Sequence, residues 1–110
     1  LIVTGDLAAV GSELVRELMH DRGIEMGSGY NDCGNMIFYA KEQDVHAGGS
    51  GCGCSAVVLC GYIFEKMRKG EINSALFVGT GALMNPTMLL QGESIPGIAH
   101  AVAIRNTLQV

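Results

Sequence analysis

Apolar residues fall along this chain in short runs separated by glycine-rich turns. Leu1-Ile2-Val3 is a continuous apolar run that Thr4-Gly5-Asp6 closes, the pattern of a buried strand with Asp6 as the N-cap of a following helix. The next segment sets Val10, Leu14, Val15, Leu18 and Met19 on one face at helical spacing, with Glu13, Arg16 and Glu17 off that stripe and Gly23 as its stop. Residues 27–34, Gly-Ser-Gly-Tyr-Asn-Asp-Cys-Gly, read as a loop, and Met36 to Tyr39 as either a short strand or the start of a helix. The glycine-rich segment Ala47 to Ala56 then opens a helix that runs to Lys69, apolar all round in its early part and therefore expected at the centre of the fold, with Gly70 ending it.

Ala75 to Val78 reads as a second buried strand, followed by a glycine turn, Gly79-Thr80-Gly81, and a loop over 82–97. Ile98 to Ile104 is the last strand, with Ile98, His100, Val102 and Ile104 on one side and alanines on the other, a small-residue face that allows a helix to pack close. The final two strands are expected to lie antiparallel. The fold class is α/β: a mixed sheet with a buried central helix and covering helices.

Composition narrows the class. The chain has 110 residues, enough for one domain, with 48% hydrophobic and 16% charged residues, which favours a packed core over disorder. A strand at the first residue suggests a piece of a longer protein. The net charge of −4 argues against nucleic-acid binding, which needs a cationic face. No apolar stretch approaches the length of a membrane span. Of the four cysteines, Cys52 and Cys54 are too close in sequence to pair with each other, and reduced thiols are the simpler reading for Cys33, Cys52, Cys54 and Cys60.

Four features bear on chemistry. Gly51-Cys52-Gly53-Cys54-Ser55-Ala56 matches the G-x-G-x-x-A form of the dinucleotide fingerprint, but the second strand ends in Gly79-Thr80-Gly81 with no acid for a ribose, which speaks against a nucleotide. The plainer reading is that small residues thin the helix start so that other backbones can touch it. The cysteines lack a second ligand pair for zinc, so no metal is expected; Cys52 at a helix start could be reactive, with His46 as its one evident base. Of the three histidines, His20 is expected in solvent, His100 in the core with one hydrogen bond, and only His46 is placed for ligand contact. The glycines at Gly79 and Gly81 could turn backbone N–H groups towards an anion.

Three stretches taken together carry a family resemblance: Leu1 to Leu7, His46 to Ala56, and Leu76 to Leu83 with Gln91 to Val102. They closely resemble the C-terminal third of the stage V sporulation protein AD family, thiolase-like proteins of spore-forming bacteria, over nearly the whole chain. The resemblance implies a thiolase-like fold of two similar halves in five layers, with residues 1–110 forming most of the C-terminal half and a homodimer as the expected assembly. It also implies a chemical test. Active condensing enzymes of this fold place a histidine after the first of these strands, and an asparagine or second histidine in the small-residue turn. Here Thr4-Gly5-Asp6 and Ala47 to Ala56 hold neither, although His46 lies just ahead of the turn.

The implied function is therefore non-catalytic: binding dipicolinic acid during its uptake into the forespore and its release in germination. The implied setting is the periphery of the forespore or spore inner membrane, beside membrane-embedded proteins of the same transport system. No cofactor is implied, calcium entering only as a companion of dipicolinate. The expected ligand-binding residues are His46, Gly49, Ser50, Gly51, Gly79, Thr80 and Gly81, and the alternative is an active acyltransferase or 3-oxoacyl synthase.

Overall fold

The computed structural model describes residues 1–49, 51–82 and 85–107. Its elements follow the order β1 (Ile2–Thr4), α1 (Ala8–His20), β2 (Tyr30–Asp32), α2 (Cys33–Met36), α3 (Ala40–Gln43), α4 (Cys54–Val58), a π-helical turn (Leu59–Ile63), α5 (Phe64–Arg68), β3 (Ser74–Ala82), α6 (Pro86–Leu90) and β4 (Gly97–Arg105). The strands form one mixed sheet in the order β2-β1-β3-β4. β1 lies parallel to both β2 and β3, and β3 pairs antiparallel with β4 from Ser74↔Arg105 to Ala82↔Gly97. The α/β class and the antiparallel final pair are as the sequence predicts.

The register fixes the two faces of the sheet. Val3 lies opposite Phe77, and Phe77 opposite Val102, so these side chains share a face with Ala75 and its partner Ile104. Val3 and Ala75 are buried there under Cys54, Val58, Ile63 and Met67 of the central helix, with Cys33 in the same cluster. The spacing of those four helical positions is four, five and four. A regular α-helix would swing Ile63 about 140° away from Val58. The π-turn inserts one residue into the helical ladder and brings Ile63 back onto the sheet, where it is fully buried.

The central helix buries one side only. Val57 and Phe64 point away from the sheet and are 60% and 42% exposed, against the all-round burial that their apolar setting suggests. The stripe expected to hold α1 to the sheet is likewise turned outwards: Val10, Leu14 and Leu18 are more than half exposed, while Val15 and Met19 are partly covered and Ser12 is buried. α1 meets its neighbours through a narrow polar seam instead. Ser12 accepts a hydrogen bond from Asn35 Nδ2 at 3.0 Å, and the Arg16 guanidinium lies 4.8 Å over the Tyr30 ring.

Four further expectations are corrected. Residues 30–32 are a strand and not a loop: they pair parallel with β1, and the side chains of Tyr30 and Asp32 both bond to Thr4. Gly79, Thr80 and Gly81 continue β3, held in extension by His100, Ala99 and Ile98 of β4 despite the low strand propensity of glycine. The loop between β3 and β4 carries a helical turn, α6, started by Pro86 and capped by Asn85 Oδ1 accepting from Thr87 N–H at 2.9 Å. His100 is exposed, as are Ala99, Ala101 and Ala103, so the alanines are not closely covered among the described residues. Met36 closes the α2 turn, which settles the choice left open there.

Candidate functional site

The site begins with a carboxylate. Asp32 ends β2, is fully buried, and accepts four hydrogen bonds: from Thr4 Oγ1 at 2.6 Å, Leu7 N–H at 3.0 Å, Ala8 N–H at 2.8 Å and Gly34 N–H at 2.9 Å. Thr4 has one hydroxyl proton and gives it to Asp32, so the Tyr30 hydroxyl is the donor in its 2.9 Å bond to Thr4. Asp32 thus fills the capping role that the sequence suggests for Asp6: it satisfies the first amides of α1 and caps α2. Ala8 enters the helix at φ +57°, a left-handed conformation unfavourable for a residue with a Cβ, and its N–H bond to Asp32 helps to hold it there.

Asp6 is thereby released for another task. Its Oδ2 accepts the Gly51 N–H at 2.8 Å, and its own N–H donates to Thr80 Oγ1 at 3.3 Å. One residue therefore ties the end of β1 to the glycine turn on one side and to β3 on the other. The fit is close. A Cβ at Gly5 would stand 2.7 Å from Thr80 Oγ1, and one at Gly49, where φ is +96°, would stand 3.3 Å from Asp6 Oδ1. A second tie, from Ala9 N–H to the Ala47 carbonyl at 2.9 Å, fixes the start of the turn over α1.

These contacts frame an open cleft of about 660 Å³ lined by Asp6 and Leu7, by Gly51, Cys52 and Ser55, by Thr80 and Gly81, and by Gly97, Ile98 and Ala99 of β4. β1 stops at Thr4, opposite Val78, so beyond Val78 the side of β3 that faces away from β4 has no described strand partner. Backbone groups of alternate residues in an antiparallel strand point away from its partner, and on this stretch they point towards the cleft side. Asp6 is the one charged side chain among the described residues that line it.

Of the expected ligand-binding residues, Gly51, Thr80 and Gly81 come together in this cleft. Gly49 stands behind its wall against Asp6, and Gly79 lies in β3 opposite His100. Ser50 falls outside the described residues. His46 lies elsewhere: with Glu13, Arg16, Asn35 and Gly48 it lines a separate cleft of about 370 Å³ beside α1. Its ring is exposed, Nδ1 is 3.9 Å from Asp44 Oδ1, and its backbone turns at φ +50°. Neither Asp6 nor Asp32 stands out in the sequence as an organiser of the site. The Asn31-Asp32-Cys33-Gly34 turn chemistry was the available signal for Asp32.

The thiols differ sharply. Cys33 and Cys54 are buried neighbours in the core, whereas Cys52 and Cys60 are exposed and Cys52 lines the cleft. Burial, and then the nearby Cys54, Asp32 and Asp6, push the Cys33 thiol up to about 12, so it stays protonated and unreactive at neutral pH. Among the described residues no group of three histidine, cysteine or acidic side chains is arranged to hold a metal ion. No helix of the described residues is long and apolar enough to cross a membrane.

Comparison with known proteins places this geometry in a family context. The family model of stage V sporulation protein AD matches residues 1–105. The stage V sporulation protein AD of Bacillus subtilis (strain 168) is 49% identical over 102 residues, a match that covers 93% of this chain and 30% of that protein. The chain thus spans about a third of the length of the relative it matches.

Proposed function

The chain belongs to the stage V sporulation protein AD family, a family of sporulation proteins, and we propose that the whole protein is a thiolase-like, non-catalytic binder of dipicolinic acid that serves its uptake into the forespore and its release in germination. The observation that carries this reading is the cleft where Gly51, Thr80 and Gly81 meet. Its lining joins small residues to the apolar side chains of Leu7 and Ile98, and its volume admits a single substituted aromatic ring. Glycines let the ligand approach the main chain.

The non-catalytic part of the reading is supported by where the possible bases lie. Asp6 is committed to the Gly51 amide, His46 opens onto the separate cleft beside α1, and His100 is an exposed residue of β4. Cys52, the thiol in the cleft, has neither histidine lining the cleft with it. Calcium enters as a companion of the ligand, offsetting the charge that two carboxylates would bring beside Asp6. The protein would act as a homodimer at the periphery of the spore inner membrane, with membrane-embedded proteins of the same transport system as partners.

Calorimetry on the full-length protein tests this reading. Saturable binding of dipicolinate, with or without calcium, is the expected result. No binding under either condition, together with acylation of a single cysteine by acyl-coenzyme A in mass spectrometry, would replace it with an acyltransferase.

A further inference from the structure

Asp6 occupies an unusual position for a site that takes an anion. It is the one charged side chain among the described residues lining the cleft, and its Oδ2 already holds the Gly51 N–H at 2.8 Å. A ligand carboxylate that sought this amide would meet a carboxylate in the same place. It would also meet a like charge at short range, a repulsion that solvent in the open cleft reduces but does not remove.

We propose that Asp6 is the specificity-determining residue of this cleft, discriminating against bare dianionic ligands by holding the Gly51 amide and by placing a negative charge on the wall. The proposal rests on the cleft being the dicarboxylate site. Asp6 has a structural duty as well, since its N–H bonds Thr80 Oγ1 of the adjacent strand β3. That second bond is made by the backbone and survives replacement of the side chain. Asp6→Asn keeps the size of the side chain and an acceptor for Gly51 but removes the charge. It therefore separates the electrostatic role from the geometric one.

The test compares two ligands on full-length wild-type and Asp6→Asn protein, by calorimetry without added divalent cations. Dipicolinate carries two negative charges, and pyridine-2,6-dicarboxamide is its neutral counterpart of nearly the same shape. The proposal predicts that Asp6→Asn binds dipicolinate roughly tenfold more tightly, the scale set by one charge removed at short range, and binds the diamide as the wild type does. An unchanged preference between the two ligands, or equal weakening of both, overturns it; equal weakening identifies Asp6 as a structural support alone.

If the wild type binds neither compound, the dicarboxylate reading fails while the role of Asp6 is still tested. Acetate is then titrated and followed at the amide resonances of Gly51 and Gly81. Larger perturbation in Asp6→Asn than in the wild type supports the proposal, and equal perturbation overturns it.

Discussion

The Asp32 carboxylate accepts the backbone N–H of Ala8 at 2.8 Å, at the one point where α1 begins in a left-handed conformation. The same carboxylate holds Thr4, Leu7 and Gly34. It joins the ends of β1 and β2 to the starts of α1 and α2. Replacing it by alanine leaves several buried donors without an acceptor. Asp32→Ala should therefore destabilise the protein by about 3 kcal/mol or more. Asp32→Asn should cost less, because one oxygen remains to accept. Denaturant unfolding of the full-length variants checks the order, and equal stability of Asp32→Ala and wild type would contradict it.

Cys33 ties pH to stability. Its thiol is held up to about 12 from an ordinary value of 9.0, chiefly by burial. The unfolded chain gives up this proton near pH 9, while the folded chain keeps it. Stability from this group is thus complete below pH 9 and is lost as pH rises from there towards 12, at up to about 1.4 kcal/mol per pH unit. Cys33→Ala should lack this contribution, so the stability difference between wild type and variant should shrink steadily above pH 9. Iodoacetamide at pH 8 should leave Cys33 unmodified in the native protein.

The two glycines that shape the turn should answer differently to alanine. Gly51 has φ +87° with open space around its Cβ position, so Gly51→Ala carries only the backbone cost of about 1 kcal/mol. Gly49 has φ +96° and faces Asp6 Oδ1 at 3.3 Å, so Gly49→Ala adds a steric conflict to the same strain. Gly49→Ala should be the more destabilising of the two, and thermal unfolding of both variants measures this directly. Equal losses would show that the turn does not press on Asp6.

Much of the fold was legible because burial leaves periodic marks. The run Leu1 to Val3, the helix start after Gly51 and the last two strands carry such marks. Gly23 and Gly70 end helices as read, both with positive φ. β2 left no such mark, because Tyr30 and Asp32 are buried through hydrogen bonds and Asn31 between them is exposed. Gly79 to Gly81 read as a turn because glycine is a poor strand former, and pairing with β4 overrides that preference. For α1 the stripe was real, but its sheet-facing side is small and polar and the apolar side lies outward. In the site, the sequence pointed to Gly51, Thr80 and Gly81 but set His46 beside them. The left-handed backbone at Asp44 and His46 carries that histidine off to the cleft at α1.

Modification of Cys52 reports on whether dipicolinate binds in the cleft between Gly51 and Gly81. Cys52 lines that cleft and Cys60 does not, although both thiols are exposed. Rates of iodoacetamide modification at each can be followed by mass spectrometry on the full-length protein as dipicolinate is added, with and without calcium. Modification of Cys52 should slow at saturating dipicolinate, with an unchanged rate at Cys60. Bound dipicolinate with no change at Cys52, or the same change at both thiols, would contradict it.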